Sequence, residues 1–274
     1  MIDLRSDTIT KPTAGMLEAM MDAEVGDDVF DADPTVNALQ DKIAKLLGQE
    51  AALFCPSGTM TNQIALRVNT QPQDEVVCHK YSHIYLYEGG GLAYNSMLSP
   101  KLLEGEDGKL QAKQIAAAVN PDDIHFPKTR LVSLENTMNK GGGSYYHLDE
   151  VRAIRAECDK LDLRLHLDGA RFFNALTETD DLPSDHGRLF DTISVCFSKG
   201  LGAPVGSALV GTAADIKQAK RVRKALGGGM RQAGYLAAAC IYALEHHIER
   251  LTEDHIRARS IGEMAAALPF VRRV

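Results

Sequence analysis

Lys199 follows the apolar run 192–197 and is followed by Gly200, Gly202, Pro204 and Gly206. Glycines give the backbone room to turn such a side chain inward. Desolvation and nearby positive charge lower a lysine pKa toward values at which the amine attacks carbonyls and forms imines. The plainer alternative is a surface lysine in a loop. Asp168 follows the run 163–167 and precedes Gly169, Ala170 and Arg171, so something flat can approach it. A carboxylate there suits a metal ligand, a ribose anchor or the partner of a protonated ring nitrogen; a helix-capping aspartate is the competing account. After 51–54 comes CPSGTMTN, a small, hydroxyl-bearing turn entering a helix. Free N–H groups at the helix start, with the Ser57 and Thr59 hydroxyls, make a phosphate seat. It is not a P-loop, because the lysine–hydroxyl ending is missing.

Four histidine positions bear on the same edge. His83, in YSHIYLYE, can stack on a ring or act as a base, with Glu88 about one helical turn on to orient it. His166 precedes Asp168 by two residues and shares its face of a strand. His125 leads into 131–134 and is expected to reach the same rim, and His147 is a weaker candidate. Further on, KALGGGMRQ at 224–232 sets Lys224 and Arg231 around three glycines. They present cations to a phosphate, or the segment is a flexible helix connection. In chain order these are a phosphate seat, a stacking histidine, a ring-nitrogen carboxylate and an imine-forming lysine. Those are the parts an enzyme using pyridoxal 5′-phosphate (PLP) needs. The glycines after Lys199 do not make a G-x-G-x-x-G, and none follows the first strand, which argues against a dinucleotide-binding oxidoreductase.

The elements that must position these groups alternate. Apolar runs at 51–54, 75–78, 131–134, 163–167, 192–197 and 207–210 read as strands. Helical patterns at 59–68, 110–119, 148–161 and 213–225 lie between them. The clearest helix starts at Asp33 as cap and Pro34 at the first position, carries Val36, Leu39, Ile43 and Leu46 on one face, and stops at Gly48. The segment 233–256 reads as one long helix, followed by 260–268 and a short strand beginning after Pro269. Alternation of this kind predicts an α/β domain with a mostly parallel sheet, whose ligands bind beyond the carboxyl ends of the strands.

Composition sets outer bounds. A chain of 274 residues with 45% hydrophobic and 24% charged residues has material for one large domain with a small appendage. The net charge of −7 disfavours nucleic acid or an anionic membrane surface as the main partner. Five widely spaced cysteines without a C-x-x-C pair fit reduced thiols in the cytoplasm, not disulfides or a metal site. No apolar stretch is long enough to span a bilayer, and the N-terminus lacks a signal-peptide pattern.

Longer motifs carry a resemblance. IDLRSDT at 2–8, VGDDVF at 25–30, DPTVNALQ at 33–40, PSGTMTNQ at 56–63, LENT at 134–137, LHLDGAR at 165–171, FSKGLGAPVGS at 197–207 and GGGMRQAG at 227–234 resemble the threonine aldolase family. That family has the aspartate-aminotransferase-like fold, PLP fold type I. The resemblance implies an aldehyde-lyase with Lys199 as the Schiff-base lysine, Asp168 as the pyridinium partner and His83 stacked on the ring. It implies Gly58 and Thr59 in the phosphate cup, Arg171 and Ser6 on the substrate carboxylate, and His125 near the substrate hydroxyl. It further implies that Lys224 and Arg231 are offered to a neighbour's phosphate, hence a homotetramer with shared sites. Residues 1–250 are expected to form the PLP-binding domain and 251–274 the start of a truncated C-terminal domain. In the family that domain supplies another carboxylate-gripping arginine, so weak substrate binding is expected. The sequence departs from the family pattern at Phe30, where tyrosine is common, and at Met138, where histidine is usual.

Overall fold

The computed structural model describes residues 3–179 and 181–272; Ile2 and Val274 of the segments named above lie outside them. Seven strands form one sheet: β1 Ala51–Cys55, β2 Glu75–His79, β3 Ser99–Leu103, β4 Thr129–Glu135, β5 Arg164–Gly169, β6 Thr192–Cys196 and β7 Ser207–Gly211. Their order is β1-β7-β6-β5-β4-β2-β3. β7 runs antiparallel to both β1 and β6, and the other pairings are parallel. The expected alternation and mostly parallel sheet are therefore observed. β1 and β6, each antiparallel to β7, share one direction, so β1, β2, β4, β5 and β6 all deliver their carboxyl ends to one edge.

The helices are α1 Ala14–Met21, α2 Pro34–Leu46, α3 Gly58–Asn69, α4 His83–Leu86, α5 Gly91–Ser96, α6 Ala112–Ala118, α7 Leu148–Lys160, α8 Phe172–Leu176, α9 Pro183–Gly187, α10 Ala213–Ala225, α11 Gly234–His246 and α12 Leu251–Ala266. α2 forms as its caps dictate. The Asp33 carboxylate accepts from Val36 N at 3.0 Å, and also from the N–H groups of Gly26 and Gly234, which pins the loop before α2 to the start of α11. Val36, Leu39 and Ile43 are fully buried, and Gly48 ends the helix at φ +64°. α3 buries Ile64, Ala65 and Leu66, and its side chains reach β6 through Thr61 Oγ1 and Ser194 Oγ, 2.5 Å apart.

Two expectations fail. The single helix over 233–256 is two helices, α11 and α12. The chain turns at His247, whose Nδ1–H donates to Leu201 O at 2.7 Å and so ties this corner to the loop carrying Lys199. The segment at Pro269 and Phe270 is a turn, and no strand forms there among the described residues. All five cysteines are free and buried. Among the described residues, no helix is long and apolar enough to cross a membrane.

Candidate active site

α3 joins the groups that the strand ends deliver. Ser57 caps it, its hydroxyl oxygen accepting from Met60 N at 3.2 Å. Gly58 and Thr59 occupy the first turn, where N–H groups have no intrahelical acceptor and the helix dipole is positive. A Cβ on Gly58 would stand 2.5 Å from Cys196 Sγ, so α3 approaches β6 this closely because residue 58 is glycine. Lys199 Nζ lies 3.6 Å from the same sulfur. The anion seat and the lysine are thus neighbours across one side chain.

Asp168, buried at the end of β5, accepts from Ala170 N through Oδ1 and from Asn62 Nδ2 through Oδ2, the latter at 2.8 Å. Asn62 also donates to Glu88 Oε1 at 2.8 Å, and Gln63 Nε2 donates to Glu88 Oε2 at 2.5 Å. His83 Nδ1 meets Glu88 Oε1 at 2.9 Å. That bond holds the His83 pKa above the ordinary histidine value and outweighs the opposing effect of burial. A donor at Nδ1 leaves Nε2 as the free ring nitrogen. His83, Glu88 and Asp168 bring polar atoms within 4.8 Å of one another, but Glu88 already pairs with His83, and the Asn62 amide links Glu88 to Asp168.

Glu135, at the end of β4, accepts from His83 N at 2.8 Å and from Asn139 N at 3.0 Å. Burial, then the neighbouring Asp168, pushes its carboxyl up to about 7. The folded chain then keeps a proton on Glu135 between its ordinary value of 4.5 and about 7, where the unfolded chain has lost it. This group therefore makes stability fall as pH rises through that window, by at most about 1.4 kcal/mol per pH unit. Urea unfolding of Glu135→Leu between pH 4.5 and 7 is expected to give a less negative slope of stability against pH; an identical slope would exclude the assignment.

Arg171 follows β5 closely, and its fork is engaged. Nε and Nη2 donate to the two oxygens of Asp7 at 2.6 and 2.8 Å. Ser6 lines a cavity of about 300 Å³ with Asp7, Thr137, Asn139 and Arg171. Lys224 and Arg231 are exposed, and Arg231 pairs with Asp27 at 2.8 Å. Their loop packs its Gly228 against Met60 in the first turn of α3.

His125 is a correction. It precedes β4 and so stands at the amino end of that strand, with a side chain 79% exposed and paired with Asp123 at 2.6 Å. The strand's seven residues carry the chain about 20 Å to the opposite edge, where Glu135 and the site are. Within one chain His125 does not reach the rim. Of the departures noted in the sequence, Phe30 is 76% exposed, and Met138 is buried against Gly108 and Gly141.

A helix N-terminus, a buried acid and a lysine at the carboxyl edge of this sheet define a PLP-dependent domain of fold type I. The chain belongs to the beta-eliminating lyase family, whose model matches residues 3–274. Members of this family are PLP-dependent lyases. The chain is 48% identical over 264 residues to the low specificity L-threonine aldolase of Escherichia coli (strain K12), covering 96% of this chain and 78% of that protein. It is 42% identical over 266 residues to low-specificity L-threonine aldolase 1 of Arabidopsis thaliana, covering 96% and 74%. In three dimensions it matches a Leishmania major threonine aldolase with a TM-score of 0.84 at 25% identity, over 95% of this chain and 77% of that one.

The site residues fit the cofactor. Gly58 leaves a cradle that a Cβ would fill, Asp168 offers a buried acceptor, and the Lys199 amine lies 3.6 Å from Cys196 Sγ beside that cradle. Gly58→Ala is expected to force α3 from Cys196 and weaken PLP binding about tenfold or more, measured by equilibrium dialysis. Unchanged affinity would show that the cradle is not used.

Proposed function

We propose that the chain cleaves L-threonine and L-allo-threonine to glycine and acetaldehyde by a retro-aldol reaction, with PLP held on Lys199. The observation that carries this is the meeting of Lys199, Asp168 and the α3 N-terminus, in a chain 48% identical to a low specificity L-threonine aldolase. PLP, when bound, draws electrons from the substrate Cα and so weakens its Cα–Cβ bond. Asp168 would accept from the ring nitrogen, and Gly58 and Thr59 would hold the phosphate with their N–H groups. His83 Nε2 takes the proton of the β-hydroxyl, because Glu88 occupies Nδ1. Arg171 and Ser6 would hold the substrate carboxylate and so orient the bonds at its Cα.

Asp7 has a part in that grip. It spends the Nε–Nη2 side of Arg171 and leaves the Nη1 side for an incoming carboxylate. Asp7→Ala frees the guanidinium to rotate. It is expected to raise KM for threonine roughly five- to thirtyfold with little change in kcat, since a positioned ionic hydrogen bond is worth about 1–2 kcal/mol. An unchanged KM would remove Asp7 from the substrate site.

We further infer a cytoplasmic homotetramer in which exposed Lys224 and Arg231 serve a neighbour's phosphate, and a second domain beginning near Leu251, where α12 exposes Ile256, Ile261 and Met264. Sedimentation velocity tests the assembly. The reaction is tested by product analysis with threonine and with cysteine. Glycine and acetaldehyde from threonine support the aldol reading. Pyruvate from cysteine without threonine cleavage would favour the β-elimination that the family's description names.

A further inference from the structure

Lys199 opens a tight turn in the loop between β6 and β7. Gly202 N donates to Lys199 O at 2.8 Å, and Gly202 takes φ +82°. Ala203 N donates to Phe197 O and Phe197 N to Gly206 O, each at 3.0 Å, so the loop is drawn shut at its base. The carbonyl of Leu201, third residue of the turn, has no place in this internal bonding. Leu201 is buried, and among the described residues no backbone N–H reaches its oxygen. A buried carbonyl left without a donor costs about as much as a lost hydrogen bond. His247 supplies the donor. It is buried too, and its Nδ1 lies 2.7 Å from Leu201 O. A carbonyl oxygen only accepts, so Nδ1 carries a hydrogen.

The ring that donates is itself held. Its backbone N–H donates to Ala243 O at 2.9 Å, closing the last turn of α11. The ring meets Tyr242 edge-on, with centroids 5.4 Å apart and planes at 89°. Four residues on, Leu251, the buried residue of α12, reaches the same turn: a Cβ on Gly200 would stand 3.0 Å from Leu251 Cδ2. The corner between α11 and α12 therefore touches Gly200 and Leu201, the two residues that follow Lys199. We propose that His247 is a positioning residue for Lys199. Its bond to Leu201 O selects the setting of the turn in which the amine stands beside Cys196 Sγ and the Gly58 cradle. Without that bond the turn samples other settings, and only the competent fraction captures PLP. The inference rests on the proposed role of Lys199 as the residue that holds PLP.

Equilibrium dialysis with two probes tests it, alongside the visible absorbance of lysine-bound PLP. PLP joins a lysine through its aldehyde; pyridoxine 5′-phosphate has no aldehyde and uses the rest of the seat alone. His247→Leu removes the donor and leaves an apolar side chain against Tyr242. It is expected to raise the PLP dissociation constant about fivefold, the worth of one hydrogen bond, and to leave that of pyridoxine 5′-phosphate within about twofold of the parent's. His247→Asn, whose amide nitrogen stands as many bonds from Cα as Nδ1 does, should restore the parent's value for PLP. If His247→Leu does not fold, His247→Phe, which keeps a ring against Tyr242, replaces it with the same expected shifts. Equal losses for the two probes would show that His247 only supports the fold, and would overturn the proposal. A parent-like PLP dissociation constant in the folded variant would overturn it as well, as would failure of His247→Asn to restore binding. Failure of the parent to form lysine-bound PLP would instead overturn the cofactor reading.

Discussion

Lys199→Ala is expected to abolish turnover, by at least about a thousandfold or roughly 4 kcal/mol of barrier, and to remove the visible absorbance of lysine-bound PLP. The amine at 199 is the one that approaches Cys196 Sγ, next to the Gly58 end of α3, so no other lysine can replace it. Lys199 is only half-buried, so its loss should leave the melting temperature of the cofactor-free chain nearly unchanged. The measurement is a visible spectrum with a coupled acetaldehyde assay. Turnover at the parent's rate would sink the assignment outright.

Asp168→Asn should follow as the second-largest loss. The substitution keeps the shape of the side chain but removes the charge that keeps a ring nitrogen protonated, and it sets a second amide against Asn62 Nδ2. Loss of a charge-assisted hydrogen bond of about 1.5–3 kcal/mol corresponds to a fall in kcat of roughly ten- to a hundredfold, with KM changed far less. PLP should still bind, because Lys199 and the α3 N-terminus are untouched. A variant that lost PLP but kept its specific activity per bound cofactor would show instead that Asp168 only retains the ring.

The strands bearing chemistry were legible because each is a short apolar run followed at once by polar residues, and the carboxyl-end rule then names Gly58, Asp168 and Lys199. β3 was not legible. Its sequence, SPKLL, holds a proline and a lysine, as an exposed sheet edge allows, and its burial pattern lacks an apolar face. The break between α11 and α12 was hidden because no glycine or proline marks it in HHIER at 246–250; only the bond from His247 to Leu201 O, 46 residues away in sequence, marks the corner. Asn62, Glu135 and Asp7 lie inside motifs read from the sequence, yet their partners are distant: Asn62 is 106 residues from Asp168, and Asp7 is 164 from Arg171. No local pattern encodes such pairings. His125 misled for the opposite reason. Nearness to a strand in sequence does not say which end of the strand a residue occupies.

α3 has a bearing on how the site tolerates change. The anion seat at Gly58 and Thr59 and the amide that steadies Asp168 stand four residues apart on one helix, about 6 Å along its axis. The spacing between the two ends of a ligand is therefore gauged by a single rigid rod rather than by two independently placed loops. Drift in the packing behind that rod moves both ends in concert and keeps their separation. Cofactor analogues whose arm is lengthened or shortened meet a caliper that cannot be reset at one jaw alone.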